Sequence, residues 1–368
     1  MTTPARDVAR LFLRLGVVGF GGPAAHIAMM RDEVVRRREW VDDREFLDLV
    51  AACSVIPGPN STELAIHLGR RRAGWRGFAA AGAGFILPAV VIVLVLAWLY
   101  ERYGTTPTGL DLSTGILPVV VAVIAHAVAA LAPTATGRLR DPLLVMVAIG
   151  AAAAWSAGVA EFPVLVVAAL AGATAGGLGT RPGTAFGSPL VVLAADVDRW
   201  RLGWSFLRIG SLLFGSGYVL VGFVESEFVE RLGWLTERQL LDAVAVGQVT
   251  PGPVFTMATF VGFQIAGLAG ALIATLAIFA PAFAFVAVLD PLVTRVRRSP
   301  AASRGLDTVI AASVGLMAAA LVRLADAALV DVVTWVTALV ALVALARWRV
   351  NIAVLVAVGA LIGLLQGR

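Results

Sequence analysis

The stretch "VIPGPNSTE", residues 55–63, decides how this chain is read. Two prolines flank a glycine and four polar residues follow, all within a long apolar region. Each proline removes a backbone donor and fixes φ. The glycine between them permits a sharp bend. A continuous buried helix does not tolerate that combination. The device returns as "VTPGPVFTM" at 249–257, so it is repeated rather than accidental.

The surroundings are those of a membrane protein. The chain of 368 residues is 59% hydrophobic and 14% charged, where soluble domains are about one quarter charged. Mean hydropathy is +0.89. Apolar runs near 77–100, 115–132, 142–180, 265–289, 306–325, 328–346 and 350–365 have the length and composition to cross a bilayer. The expectation is an all-α polytopic membrane protein. No cleavable signal peptide is evident near Arg6, Asp7 and Arg10. The single cysteine, Cys53, excludes an intramolecular disulfide and reads as a small buried hydrophobe. The net charge is +5 and every basic residue is Arg. Coding bias and a preference for bidentate oxyanion contacts both account for that. The arginines sit in short loops between spans, which points away from a nucleic-acid partner.

The repeat extends beyond the Pro-Gly-Pro pair. Residues 12–62 align with 206–256 without a gap, at an offset of 194 (Pro57 against Pro251). About 20 of these 51 positions are identical, including Arg14/Arg208, Trp40/Trp234 and Asp48/Asp242. Shared Arg, Trp, Asp, Pro and Gly in register mean duplication, a transporter signature. We divide the chain into an N-terminal repeat, 1–195, and a C-terminal repeat, 196–368.

Arginine placement orients the copies. Residues 31–45 carry Arg31, Arg36, Arg37, Arg38 and Arg44, whereas 225–239 carry only Arg231 and Arg238. Arg70, Arg71, Arg72 and Arg76 follow the first Pro-Gly-Pro, and "FQIAGLAG" follows the second. The copies are therefore expected to be inverted. Arg-rich loops on both sides of the first segment make it a re-entrant helical hairpin. Spans near 10–30, 77–100, 116–132, 142–158 and 162–179 give about five per repeat, an odd number that inverts the second copy. This scheme puts the N-terminus outside despite Arg6 and Arg10, so the first segment, with Arg14 and many glycines, is a doubtful span.

Broken backbone at membrane depth survives only when buried in protein or lining a wet cavity. Asn60, Ser61 and Thr62 suit a helix restart, and Thr256 repeats Thr62. A helix N-terminus carries free N–H groups and about half a positive charge. Two such ends offer roughly one unit of positive charge to an anion. The alternative is that Pro-Gly-Pro merely kinks packing helices. Gly21 and Gly22, with Gly215, Ser216 and Gly217, allow close helix approach or expose backbone to a ligand. Arg14 and Arg208 are intramembrane cations, functional or snorkelling to the interface. Glu63, with Met257 opposite it in the alignment, is a candidate proton carrier because burial disfavours its charged form. Pairing with an Arg is the other reading. Gln248 and Ser54 are candidate oxyanion donors. Asp48/Asp242 and Glu33/Glu227 read as caps or surface pairs. His26 and His67 show no metal spacing and read as structural.

These motifs together resemble the chromate ion transporter family in its two-domain form. "FGGPAAHIAMM", "IPGPNSTELAIHLGRRRAGWRG" and "GFILP" resemble its N-terminal domain. "FGSGYVL", "WLTERQLLDAVAVGQVTPGPV" and "GFQIAG" resemble its C-terminal domain. The match is weakest at 101–200 and 300–368, where hydropathy alone supports it. The resemblance implies proton-motive-force-driven efflux of chromate, a tetrahedral oxyanion, across a bacterial inner membrane. It puts functional weight on Gly21, Gly22, Pro23, Pro57, Gly58, Pro59, Asn60, Gly215, Gly217, Gln248, Pro251, Gly252 and Pro253. Ser54, where a Gln is common, and Val254, opposite Asn60, depart from a symmetric site. Sulfate or another divalent oxyanion, and a channel rather than a carrier, remain alternatives. One Cys, three His and no nucleotide fingerprint argue against an enzyme. No cofactor is expected; protons, the bilayer and a second copy in a homodimer are the expected partners.

Overall fold

The computed structural model describes residues 5–20, 22–53, 57–136, 141–159, 161–175, 199–213, 219–289, 300–348 and 350–367. Gly21, Ser54, Gly215, Ser216 and Gly217 lie outside them. Among the described residues all regular structure is helical. The first copy contains α1 (Ala5–Val18), α2 (Gly22–Arg31, continued by π-helical Asp32–Arg37), α3 (Asp43–Cys53), α4 (Asn60–Tyr103), α5 (Pro107–Ala135), α6 (Pro142–Ser156) and α7 (Glu161–Ala175). The second contains α8 (Arg199–Leu212), α9 (Leu220–Val224, continued by π-helical Glu225–Arg231), α10 (Glu237–Val249), α11 (Met257–Leu289), α12 (Pro300–Ala328), α13 (Val332–Val343, continued by Ala344–Trp348) and α14 (Ile352–Gln366).

Among the described residues, four helices have the length and apolarity of full spans: Asn60–Tyr103, Pro107–Pro133, Val254–Val288 and Ser303–Ala328. The protein is thus an all-α polytopic membrane protein built on a repeat. The expected span at 10–30 is not one helix. α1 ends at Val18 and α2 begins at Gly22, whose φ is 76°. α6 and α7, of 15 residues each, reach about 22 Å and fall short of a hydrocarbon core of about 30 Å.

α4 and α11 fold back on themselves. Ala73 and Gly74 leave helical geometry, Gly74 with φ 60° and ψ −147°. Ala266 and Gly267 do the same, Gly267 with φ 60° and ψ −154°. Only a glycine holds such backbone without strain. A Cβ on Gly82 would sit 3.0 Å from Ile66 Cγ1, although a straight helix separates these residues by about 24 Å. Thr259 Oγ1 meets Thr275 Oγ1 at 2.7 Å in the second copy. Each hairpin thus has a short arm (60–72, 257–265) and a long arm (75–103, 268–289).

Each short arm packs on the other copy's long arm and sets its direction. Gly58 faces Ala282 and Arg70 reaches the carbonyls of Val286 and Ala287. Gly252 faces Ala89, and Phe260 meets Tyr100 edge-on. A short arm runs parallel to the partner long arm and antiparallel to its own. The two long arms therefore run in opposite directions, as inversion requires.

The copies also exchange their remaining helices. α5 packs on α13 and α14, and α12 packs on α6 and α7. A Cβ on Gly115 would lie 1.9 Å from the Gly359 carbonyl. One on Gly172 would lie 2.3 Å from Thr308 Oγ1. Small residues let the backbones touch where lipid gives no hydrophobic drive. The main apolar core mixes both copies, while a second cluster, from Val8 to Phe85, belongs to the first alone. Aspartates cap matching helices: Asp141 accepts from Leu143 and Leu144 N–H before α6, and Asp331 from Thr334 N–H before α13.

Candidate functional site

The two Pro-Gly-Pro turns are tied across the copies by a reciprocal pair of hydrogen bonds. Gly58 N–H donates to the Leu213 carbonyl at 2.7 Å, and Gly252 N–H donates to the Gly19 carbonyl at 2.8 Å. Residues 58 and 252, like 19 and 213, differ by 194. Gly58 and Gly252 hold φ of 137° and 98°, which strains any other residue. Pro57, Gly58, Pro251 and Gly252 thus set the bends.

Beyond the bends the two helix starts meet. Pro59, Asn60 and Ser61 line one cleft with Pro253, Val254 and Phe255, joined by Pro23 and His26 from α2. The cleft holds about 10 Å³ of free space, enough for about one water and too little for a five-atom oxyanion. The ends differ. Thr62 and Glu63 N–H turn back to the Pro59 carbonyl at 2.7 and 3.1 Å. Among the described residues, the N–H groups of Asn60 and Ser61 find no acceptor, as the first turn of a helix dictates. Asn60 Oδ1 and Thr62 Oγ1 are buried and unpartnered there. In the second copy Val254–Thr256 form a 3₁₀ turn, and Thr256 gives both N–H and Oγ1 to the Pro253 carbonyl.

That 3₁₀ turn corrects the alignment at Glu63. From Gly69/Gly262 through Gly74/Gly267, Gly77/Gly270 and Pro88/Pro281 the offset is 193, not 194. The second copy lacks one residue just after Thr256. Three residues of 3₁₀ rise about 6 Å, as do four of α-helix, so the tighter turn absorbs the loss. Leu64 then faces Met257, and Glu63 has no counterpart. Glu63 is fully buried, and neither carboxylate oxygen has a partner among the described residues. It sits under the first bend: a Cβ on Gly58 would lie within 2.4 Å of its Oε1. Glu63 does not line the cleft.

Arg14 and Arg208 lie elsewhere. Arg14 pairs with Glu33 at 3.6 Å, and Arg37 and Arg38 join it at 2.9 and 3.3 Å. Arg208 pairs with Glu227 at 2.5 Å, alongside Arg231 and Ser205. Glu33 and Glu227, read from sequence as caps or surface pairs, are instead the buried anchors of matching ion clusters. Thr62, Thr256 and Gln248 stand outside the cleft lining, Gln248 with Nε2 unpartnered among the described residues. Gly22 opens α2. Asp242 is buried and accepts from Tyr100 Oη at 2.7 Å.

Sequence reasoning missed His26 and Phe255. His26 is 1% exposed, and a buried polar side chain within an apolar run was the available signal. Phe255 carried none; packing alone brings it there.

These broken, inverted hairpins sit in a sequence that the family model described as "Chromate transporter" matches over residues 6–176 and 200–364. The chain belongs to the chromate transporter family. Its two matched segments correspond to the two copies. The "Chromate transport protein" of Cupriavidus metallidurans is 32% identical, over 99% of this chain and 93% of that protein. The protein of the same name from Pseudomonas aeruginosa is 33% identical, over 86% and 80%. The "Probable chromate transport protein" of Synechococcus elongatus is 30% identical, over 94% and 90%. No solved structure matches the chain. A member of this family is a multi-pass membrane protein, and the relatives named above are chromate transport proteins.

Proposed function

We propose that this chromate transporter family member is a secondary active exporter in a bacterial inner membrane, with the oxyanion held between the two Pro-Gly-Pro helix starts. One observation carries this reading: Pro59-Asn60-Ser61 and Pro253-Val254-Phe255, from opposite copies, line a single cleft. Free N–H groups and the helix dipole favour an anion there. The cleft is too tight for the anion in this conformation, so the ends part to admit it. The reciprocal Gly58–Leu213 and Gly252–Gly19 bonds are the contacts that break and re-form, which favours a carrier over an open channel. Coupling to the proton motive force uses Glu63, a carboxyl without an ion partner among the described residues, which only the first copy carries.

The test is flux in proteoliposomes under an imposed pH gradient or membrane potential, with chromate and sulfate as separate arms. Chromate flux that follows the gradient is expected. Absence of gradient-driven flux for either anion overturns the reading. Sulfate flux alone would keep the site and change the substrate.

A further inference from the structure

We propose that His26 is the titratable group in direct contact with the transported oxyanion, and that the anion is bound together with one proton on His26 Nδ1. The inference rests on the cleft being the anion site and adds to it a proton-linked ligand.

The hydrogen bonds fix the resting state of the ring. His26 Nε2 lies 2.8 Å from the Gly19 carbonyl. A carbonyl only accepts, so Nε2 carries the hydrogen. The same carbonyl takes Gly252 N–H at 2.8 Å, and both of its lone pairs are then used. Nδ1 lies 3.3 Å from Ser61 Oγ. In a neutral ring with its hydrogen on Nε2, Nδ1 is an acceptor, and the Ser61 hydroxyl donates to it. Phe85 closes one face of the ring, edge-on at 5.2 Å.

An oxyanion entering between Asn60 and Phe255 meets this pair. It brings only acceptors. It takes the Ser61 hydroxyl, which leaves the Nδ1 lone pair buried, unpartnered and pointed at negative charge. That arrangement is costly twice, as a lost hydrogen bond and as repulsion. A proton on Nδ1 removes both costs. It turns the nitrogen into a charged donor to the anion and leaves the Nε2–Gly19 bond intact. Ser61 donates to the anion, and no other group changes state.

Among the described residues, buried His67 of α4 stands outside the cleft lining. On the elements packed against α2, Arg14 of α1 and Glu33 of the π-helical segment pair with each other, and Asp43 of α3 pairs with Arg31 at 2.7 Å. Glu45 of α3 pairs with Arg71 of α4 at 3.3 Å. Glu63 of α4 lies two residues beyond Ser61, under Gly58. The second copy has Leu220 opposite His26 in register and, among the described residues, puts only Pro253, Val254 and Phe255 into the cleft. His26 is thus the one ionisable side chain among the described residues lining it.

The experiment is calorimetric binding of chromate to the full-length protein in detergent. It is run near pH 8, where chromate is a dianion, in two buffers of different ionisation enthalpy. The wild type is expected to take up about one proton per anion, so affinity falls up to ~10-fold per pH unit as pH rises. His26→Gln keeps a donor and an acceptor but cannot titrate. It is expected to bind more weakly with proton uptake near zero, while His126→Gln, at a histidine of α5 outside the cleft lining, keeps the wild-type uptake. Uptake that survives His26→Gln, or that vanishes in His126→Gln, overturns the proposal. Wild-type binding without proton uptake does so as well. No binding by the wild type sinks the cleft reading itself, a different outcome. Thermal unfolding of each variant separates weak binding from misfolding.

Discussion

Gly58 and Gly252 bend with positive φ, and each donates to the opposite copy, yet the residues that follow them offer unlike surfaces. The first end presents Asn60 and Ser61, with His26 beside them. The second presents Val254 and Phe255, and its Thr256 is spent on Pro253. The backbone device is duplicated; the polar chemistry is not. Inversion needs the fold to be symmetric, because the two ends must meet head to head. It places no such demand on side chains, so one end is polar and the other apolar. The ion clusters follow the same rule. Glu227 is fully enclosed while Glu33 keeps 6% exposure and Arg14 is largely in solvent.

The largest break in this comparison comes from the clusters. Glu227→Ala leaves Arg208 and Arg231 without their carboxylate and is expected to cost about 3–5 kcal/mol. Glu33→Ala, more exposed, costs less. Denaturant midpoints of the two variants measure the difference, and equal losses would refute the asymmetry. Next come the bends. Gly58→Val meets Glu63 Oε1 and Gly252→Val meets the Ala89 methyl at 3.0 Å. The backbone conformation adds about 1–3 kcal/mol at each. Both should stop flux, Gly58→Val more completely. A Gly58→Val, Glu63→Ala double variant should recover part of the lost stability, read from denaturant midpoints, though not the flux, and no recovery would mean that φ alone is limiting.

A finer test compares the ends. Asn60→Ala is expected to weaken chromate binding about tenfold, or about 1.4 kcal/mol, read by titration calorimetry. Val254→Ala should leave affinity within about twofold. Equal losses would make the site symmetric after all. The smallest effect is at the caps. Thr334 N–H bonds hold the Asp331 carboxyl below the usual carboxylate range, and Arg304 holds Asp141 there. A depressed folded pKa stabilises above the unfolded value near 3.9 and is lost as pH falls through the folded one. Unfolding temperature should therefore be flat near neutrality and drop below about pH 4. Asp331→Ala should flatten that drop slightly.

Much of the architecture was legible in the residues. Pro, Gly, Arg and Trp in register revealed the duplication, and the arginine bias revealed its inversion, because charge resists translocation. At 10–30, Arg14 and the glycines cast doubt on a simple span, but apolar composition does not place the break before Gly22. The offset change at Glu63 was hidden because a one-residue loss in a turn leaves both flanks aligned. Arg14 and Arg208 looked like anion ligands because the glutamates that take them up lie 19 residues away in sequence.

The sequence by itself determined that this chain enters a membrane, that it is doubled, and that both copies break at Pro-Gly-Pro. Those properties are local: hydropathy, missing donors and forbidden φ act within a few residues. Only the tertiary structure decided that the breaks meet in one cleft, that α5 and α12 pack in the opposite copy, and that His26 stands beside Ser61. Such contacts join residues 35 or more positions apart, and a chain of alternating helices can make many of them. Packing of small residues against backbone selects the one arrangement in which every helix closes.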